Sequence, residues 1–525
     1  MSRNNNCQNK NKNKKVVREQ PRKDSKSRRI NEDNARISKV EEDIKRDSER
    51  DSANDIGWYN KNPELLKAAG SFPFASILGT RLWDKYSVPG IMEFGWCPTI
   101  GGEKGIPVNQ AFNSMYSFIV HANSRNYKWN APDGGLLIIA GSQVFAAIAA
   151  LTRAYGTVKY YAERNLYVPD ALLQSQGFNP DDLRKNLGQL WFTLNNLIDQ
   201  TRQIWIPLIF PVIDRWIWLN SMIFTDAPGV TSQSYIFTQN CYFAYDETES
   251  QEGGMLIPIR KHGTSQIFDP TKNAYNVADW VGTIQDMIDK LIESEDRGII
   301  FGDILNAYGP EKIRSMTQIP VDYVVVPTYN AEVLMQVENV IQNDKHVNAI
   351  GQTNNRVVVG WNSSAGSDGN SSLEQNQSSY VLNFHIPENP TPEQVMIATR
   401  LMAGGYDYLD SWWYDFTEHK WQYGKRVGLD TTGSEIVNSI AIWNLQASDP
   451  THGHQDIIPQ CWPAADENVA RLEKWLWFMT FDWHPFLYKT SAPFIINEST
   501  GTVVSGAKSM DPEFAFGDYD NYTLI

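Results

Sequence analysis

Leu136-Leu-Ile-Ile-Ala-Gly-Ser-Gln-Val-Phe-Ala-Ala-Ile-Ala-Ala-Leu-Thr-Arg-Ala-Tyr-Gly-Thr-Val-Lys-Tyr-Tyr161 decides how this chain is read. The stretch is rich in Leu, Ile, Ala and Val, has no proline, and is too long for a strand. Helices that are apolar on every side are buried, so a mostly buried helix is predicted here. Outward from it, Asp181 to Arg202 predicts a second helix, with Leu183, Leu187, Leu190, Leu194 and Ile198 along one face. Val277 to Ile292 predicts a clearer amphipathic helix, its stripe made of Val277, Val281, Ile284, Ile288, Leu291 and Ile292. Thr391-Pro-Glu-Gln394 is a helix start: Thr391 can cap, Pro392 fits the first turn and Gln394 can reach back. Asp466 to Trp483 predicts a last helix, with Val469, Leu472, Leu476 and Met479 facing inward.

Non-helical signals lie between these. Pro73, Pro89, Pro98, Pro107 and several glycines predict extended loops and short strands over residues 72–107. Tyr323-Val-Val-Val326, ended by Pro327, predicts a short buried strand. Residues 362–379 are nearly all Ser, Asn, Gly and Gln and predict a flexible, exposed loop. There is no internal repeat. The fold class expected is α+β, predominantly α-helical.

The 525 residues exceed what one core usually organises, so two domains are the default. An apolar fraction of 42% and a charged fraction of 21% are those of a soluble globular protein. The 23 Tyr, 22 Phe and 18 Trp supply large contact areas in cores and interfaces. Cys7, Cys97, Cys241 and Cys461 form no dense framework, which fits a reducing compartment. No apolar segment follows the charged N-terminus, so no secretory signal is expected, and the acceptor-like Asn362, Asn370 and Asn376 are read as loop sequence. For a membrane span, Ile204 to Phe224 is taken as the most apolar stretch. Pro207, Pro211 and the charges Asp214 and Arg215 argue against insertion, and a buried core or interface helix is expected instead.

Charge divides the chain. Arg3, Lys10, Lys12, Lys14, Lys15, Arg18, Arg22, Lys23, Lys26, Arg28 and Arg29 oppose only Glu19 and Asp24 in the first 31 residues, a net of +9. The whole-chain charge of −14 leaves −23 for the rest. Such a segment has almost nothing to bury and is expected to stay disordered. Those eleven cations are the candidate nucleic-acid-binding residues. If most met phosphates, counter-ion release would give a slope of about −0.9 in log affinity per contact, indifferent to base sequence. A solubilising tail or a localisation signal is the blander reading of the same stretch. Residues 31–55 mix both signs, and Ile30, Ile37, Val40 and Ile44 recur there at helical spacing; a mixed-charge linker is the expectation. The folded body is expected to begin near Ile56, where Trp58, Tyr59, Leu65 and Leu66 gather.

Catalytic motifs are missing. Gly101-Gly-Glu-Lys-Gly105 has the spacing of neither a P-loop nor a dinucleotide fingerprint and reads as a flexible turn. His452 and His454, with Asp456 and Cys461 nearby, lack regular zinc spacing and read as a polar loop. Asp518, Asp520 and Asn521 lack the Gly and closing Glu of a calcium loop. His484, among aromatics, reads as a core histidine bonded to a carboxylate or carbonyl. No catalytic residue, metal ligand or organic cofactor is assigned.

Val88-Pro-Gly-Ile-Met-Glu-Phe-Gly-Trp-Cys-Pro-Thr-Ile-Gly101 resembles a stretch of picobirnavirus capsid proteins, and so does His121-Ala-Asn-Ser-Arg-Asn-Tyr127 followed by Ala131-Pro-Asp133. Trp58-Tyr59, Leu65-Leu66-Lys67, Ser71-Phe-Pro-Phe74, Leu78-Gly79 and Arg81-Leu82 stand upstream in that family's order, and Gly302-Asp-Ile-Leu-Asn-Ala-Tyr-Gly309 matches downstream. The resemblance runs from about residue 56 to at least 340. Arg125 departs from it, at a position where many members are expected to have Gly.

The resemblance implies a mainly helical subunit with a shell domain and a protruding domain, which forms homodimers and then an icosahedral shell around double-stranded RNA. It also implies N-terminal trimming in some members, a packaged viral polymerase as a partner, and a place in the virion after assembly in the host cytoplasm. On that basis residues 1–55 are the arm, 56–245 and 390–525 the shell domain, and 246–389 the protruding domain. No metal, organic cofactor or membrane partner is expected, and no enzyme activity beyond such self-cleavage. The rival readings are a non-viral RNA-binding or scaffolding protein with a basic tail, and a hydrolase built on His452, His454 and Asp456.

Overall fold

The computed structural model describes residues 90–101, 107–123, 129–163, 170–226, 233–247, 253–342, 346–362, 370–373, 382, 384, 389–402, 406–429, 433–443, 454–457, 481–485, 487–490, 494–497, 502–503 and 512–516. The arm 1–55, the expected start of the body near Ile56 and the upstream family motifs lie outside these residues.

In chain order the first half runs β1 (Ile91–Pro98), α1 (Pro107–Asn123), α2 (Ala131–Glu163), α3 (Asp170–Gln174), α4 (Pro180–Lys185), α5 (Leu187–Gln200), β2 (Ile206–Pro207), α6 (Pro211–Ser221), β3 (Phe224–Thr225), β4 (Ser234–Gln239), β5 (Phe243–Asp246) and β6 (Met255–Pro258). Then come α7 (Val277–Glu293), α8 (Arg297–Tyr308), β7 (Ile313–Arg314), β8 (Thr328–Tyr329), α9 (Ala331–Glu338), β9 (His346–Thr353), β10 (Arg356–Asn362), β11 (Asn370–Leu373), α10 (Pro392–Ala398), β12 (Tyr406–Asp415), β13 (Lys420–Leu429), β14 (Glu435–Trp443) and β15 (His454–Ile457). Four short strands follow: β16 (Leu487–Thr490), β17 (Phe494–Asn497), β18 (Thr502–Val503) and β19 (Pro512–Phe516). The class is α+β, as expected.

Helix α2 is the axis. It packs against α1, α5, α6, α7 and α8 and against strands β5, β6, β9 and β10. Every residue from Gly134 to Leu151 is buried, so burial runs all round the helix rather than along one stripe. Close approach is built in at two glycines: a Cβ on Gly135 would stand 2.2 Å from the Phe112 ring of α1, and one on Gly156 would stand 2.5 Å from Val325. By length and composition α2 could cross a membrane, and it is wholly buried inside the fold. Residues 204–224 are therefore not the most apolar stretch: only Pro211–Ser221 is helical there, and Leu208 and Ile209 are exposed.

Two six-stranded sheets flank the helices, ordered β15-β14-β1-β4-β3-β8 and β13-β12-β10-β9-β6-β5. Strand β1 is buried along its whole length between two partners, antiparallel to β14 and parallel to β4. In the second sheet β9 and β10 form a hairpin whose turn holds Asn354 and Asn355 at positive φ, a backbone region asparagine tolerates better than most residues.

Helix α7 spans Val277–Glu293, with Val277, Ile284, Ile288 and Leu291 of the expected stripe buried and Val281 and Ile292 half-buried. Helix α10 begins as predicted, with Thr391 Oγ1 accepting from the Gln394 N–H at 3.3 Å and Gln394 Oε1 accepting from the Thr391 N–H at 2.9 Å.

Other expectations are corrected. The helix over Asp181–Arg202 is two helices, α4 and α5, broken at Asn186 and followed by a 3₁₀ turn at 201–203. Asn186 does not end the apolar face: Leu183, Leu190, Leu194 and Ile198 are all buried. Tyr323–Val326 forms no strand and joins no sheet. Its Val325 N–H bonds to the carbonyl of Gly156 on α2 at 3.1 Å, so a helix takes the hydrogen bond a strand would have received. Val325 alone is buried there, and Val324 and Val326 are exposed. Within the expected loop 362–379, residues 370–373 form β11, paired with β17. The last helix falls mostly outside the described residues, and Phe481–Trp483 is not helical.

The segment 246–389 shares the main core. Leu256, Trp280, Ile304, Val347 and Trp361 belong to one buried cluster with Phe94, Phe145 and Phe237, and β10 lies beside β12 in one sheet.

Candidate functional site

Buried polar groups give the clearest account of what the described fold is built to do. Arg153 is the charge inside the apolar run of α2. Its Nη1 donates to the carbonyls of Phe237 (2.9 Å), Leu219 (3.2 Å) and Met222 (3.3 Å), and its Nε to Gln176 Oε1 (3.2 Å). One guanidinium thus ties α2 to the end of α6, to β4 and to the turn after α3. Burial lowers its pKa to about 10, with Tyr242 and Glu93 acting the other way, so it stays charged at neutral pH.

A second network joins distant parts of the sequence. Glu435, fully buried at the start of β14, faces Arg215 of α6 at 3.4 Å and Arg400 just after α10 at 3.3 Å. Arg215 also donates to Gln336 of α9 at 2.7 Å. The Trp216 indole N–H reaches the Ser434 carbonyl at 3.1 Å. Beside it, the Trp443 indole donates to buried Glu93, so β14 is pinned to β1 by side chains as well as by the ladder. Burial lowers the Arg215 pKa, and Glu435 opposes that shift.

The remaining perturbed groups point the same way. Burial pushes Tyr161 up to about 12 and raises Tyr235, Tyr242 and Tyr245. Cys241 is raised by a hydrogen bond with Cys97 and then by burial, so two cysteines remote in sequence are neighbours in the core, both free. Such shifts hold phenols and thiols neutral at pH 7, opposite to what activates a nucleophile. Among the described residues no group of three or more His, Cys, Asp or Glu could hold a metal ion.

The candidate residues of the sequence fall in different places. Arg3, Lys10, Lys12, Lys14, Lys15, Arg18, Arg22, Lys23, Lys26, Arg28 and Arg29 lie outside the described residues, as do His452, Cys461, Asp518, Asp520 and Asn521. His454 and Asp456 do not sit in a polar loop: their backbone forms β15, antiparallel to β14. His484 is a buried histidine, its Nδ1 3.0 Å from the Pro485 carbonyl.

Among the described residues the fold leaves several large apolar side chains exposed. Phe192, Val321, Val326, Ile299 and Met396 each leave about half or more of their surface exposed. A model of the family described as "Picobirnavirus, Capsid protein" matches residues 58–460. The chain belongs to that family. A capsid protein precursor of human picobirnavirus (strain Human/Thailand/Hy005102/-) is 22% identical over 509 residues, covering 86% of each chain. A solved structure, the X-ray crystallographic structure of the picobirnavirus capsid, shares the fold at a TM-score of 0.59 and 19% identity, over 86% of this chain and 95% of that one. A picobirnavirus capsid protein is a virion component.

Sequence reasoning missed both arginine networks. The signal for Arg153 was present: a lone charge in a buried apolar run must find partners. Nothing comparable marked Glu435, Arg215 and Arg400, which are brought together only by the tertiary fold.

Proposed function

We propose that this capsid protein assembles through homodimers into a closed icosahedral shell that encloses double-stranded RNA, its N-terminal cations neutralising the packaged phosphates. The observation that carries this reading is the family match over residues 58–460, supported by a curated relative of comparable extent. Symmetric closure multiplies each self-contact without requiring an active site. The eleven cations of the first 31 residues supply what an acidic body of net −23 lacks, a sequence-independent hold on a polyanion.

The parts are assigned accordingly. Residues 1–55 form the RNA-facing arm, 56–245 and 390–525 the shell, and 246–389 the protruding part. The described part of 246–389 shares residues with the common core, so this is a division of exposure. The viral polymerase is packaged with the RNA, and assembly takes place in the host cytoplasm. The relative's name, a precursor, supports N-terminal trimming here also. A body of net −23 repels the packaged duplex and so leaves it mobile for copying.

The test is expression of the full chain and of a chain lacking residues 1–55, each purified as particles and treated with nuclease. Protected RNA is expected in the full-length particles and a marked reduction in the truncated ones. Equal loading would refute the arm's role. A full chain that stays monomeric or dimeric in every buffer would refute the shell.

A further inference from the structure

Over Leu183–Gln200 the exposed residues are Lys185, Gly188, Gln189, Phe192, Asn196 and Asp199. Their spacing of three and four puts them on one stripe, opposite the buried Leu183, Leu190, Leu194 and Ile198. The break at Asn186 leaves the stripe whole. The Asn186 N–H bonds to the Asp182 carbonyl at 3.0 Å and the Leu190 N–H to the Asn186 carbonyl at 2.8 Å, as in a continuing helix. One flank is covered: the Trp191 indole N–H donates to the Ile319 carbonyl at 3.0 Å, and Asn195 Oδ1 accepts from the Ile319 N–H at 2.9 Å. The stripe itself carries Phe192 at 68% exposure, the most exposed aromatic side chain among the described residues. One turn before it, a Cβ on Gly188 would meet nothing within 4 Å, so no close contact inside the subunit calls for a residue that weakens a helix.

We infer that this outer stripe of α4 and α5 packs antiparallel on the same stripe of a second copy, about a two-fold axis beside Phe192. This rests on the capsid reading and gives its dimer a place. A single exposed ring is ordinary on a protein surface; the order of charge along the stripe selects the occupant. Lys185 and Asp199 stand equally far before and after Phe192, and no residue from Asn186 to Ile198 is charged. A two-fold at the ring therefore sets each copy's Lys185 against the other's Asp199, so opposite charges meet at both ends while the rings meet in the middle. Bodies of net −23 repel one another, which favours a contact whose own charges are paired. Among the described residues Lys185 forms no salt bridge, whereas its neighbour Arg184 is already held by Asp170 at 2.5 Å. Asp199 accepts from Arg202 at 2.9 Å and from Gln318 Nε2 at 2.6 Å, and a carboxylate has lone pairs left for a third donor. The open space over Gly188 faces Asn196 of the second copy and lets the two helix axes approach closely.

The test uses the full chain. F192D is expected to cut dimer and particle yield by about tenfold or more at equal subunit concentration, while the unassembled subunit melts as the wild type does. K185E, which sets carboxylates against each other at both ends of the contact, is expected to lower the same yield about threefold. In a second arm, subunits carrying K185C are mixed with subunits carrying D199C and treated with a short bis-maleimide. Along one helix the two positions lie roughly 21 Å apart, and the two-fold puts like positions of a pair at least as far from each other. Each preparation alone is therefore expected to cross-link poorly and the mixture well. Wild-type yield from F192D or K185E, or a mixture that cross-links no better than its components, overturns the stripe contact and leaves the shell reading standing. Cross-linked dimers from the mixture, beside a wild-type chain that never forms particles, would keep the contact and overturn the shell.

Discussion

Helices α2 and α7 pack against each other and solve opposite problems. Helix α2 is apolar on every side and touches neighbours all round, so its one deep charge, Arg153, has to be fully answered inside the protein. Helix α7 buries one stripe, leaves Asp289 in solvent, and fixes its first turn with carboxylates: Asp279 Oδ2 accepts from the Asn276 N–H at 3.2 Å and Asp182 Oδ2 from the Val277 N–H at 2.7 Å. The contrast teaches where this fold can be altered. No face of α2 is free, whereas α7 has an outer face of polar residues, some in ion pairs with neighbouring segments (Asp279 with Lys261, Asp286 with His262, Lys290 with Asp246) and one, Asp289, exposed to water.

The sharpest way to break the comparison is Arg153→Met. Methionine fills much of the same volume but leaves the carbonyls of Leu219, Met222 and Phe237 without their donor. A loss of about 3–5 kcal/mol is expected, as for breaking a buried charged network from one side, read by denaturant unfolding of the unassembled subunit. A change under about 1 kcal/mol would mean that backbone rearrangement or water replaces the guanidinium. Trp280→Ala tests the inner face of α7 by the same measurement. Trp280 is fully buried, stacks on Phe178 with ring centroids 4.6 Å apart, and donates its indole N–H to the Gly177 carbonyl at 3.0 Å. A cost of about 3–5 kcal/mol is expected. The inner stripe of α7 should therefore be as intolerant as any face of α2.

Gly135→Ala ranks next. The added methyl would meet the Phe112 ring at 2.2 Å, and that ring is itself packed edge-on against Phe210 at 5.7 Å. Overpacking of this kind costs about 1–3 kcal/mol. The thermal midpoint should fall, and the α1–α2 contact should loosen in hydrogen exchange before other regions do. Unchanged exchange in α1 would show that Phe112 has room to move.

Much of this contrast is legible in the amino-acid order, because it is local. Apolar residues on every turn mark 136–161, one stripe marks 277–292, and Thr391 with Gln394 marks a helix start. Sequence reasoning fails where distant partners decide. The valines of 323–326 have strand chemistry, yet Gly156 on a helix takes the hydrogen bond that a strand partner would have received. Leu183 and Leu190 keep helical spacing across Asn186, so periodicity could not show that the backbone breaks there. Strand β1 reads in sequence only as part of a loop-rich stretch, since its partners lie some 140 and 350 residues downstream at Tyr235 and Trp443. The charge on the first 31 residues is plain in the sequence, whereas the Arg215–Glu435–Arg400 network exists only once α6, β14 and α10 have met.

The smallest expected effect is the most discriminating. Asp289 is exposed on α7 and accepts one hydrogen bond, from Gln285 Nε2 at 2.8 Å, and that same Nε2 already donates to Gln200 Oε1 at 2.8 Å. Removing the carboxylate leaves the Gln285 amide partnered across to α5, and it removes a negative charge from the C-terminal half of a helix, where the dipole disfavours one. Asp289→Ala should therefore change the stability of the unassembled subunit by no more than about 0.5 kcal/mol. A loss above about 1 kcal/mol in that subunit would contradict a solvent-facing Asp289 and with it the contrast to α2. If the subunit is unaffected while the particle dissociates more readily, Asp289 faces solvent only until assembly, and a neighbouring copy covers it in the shell.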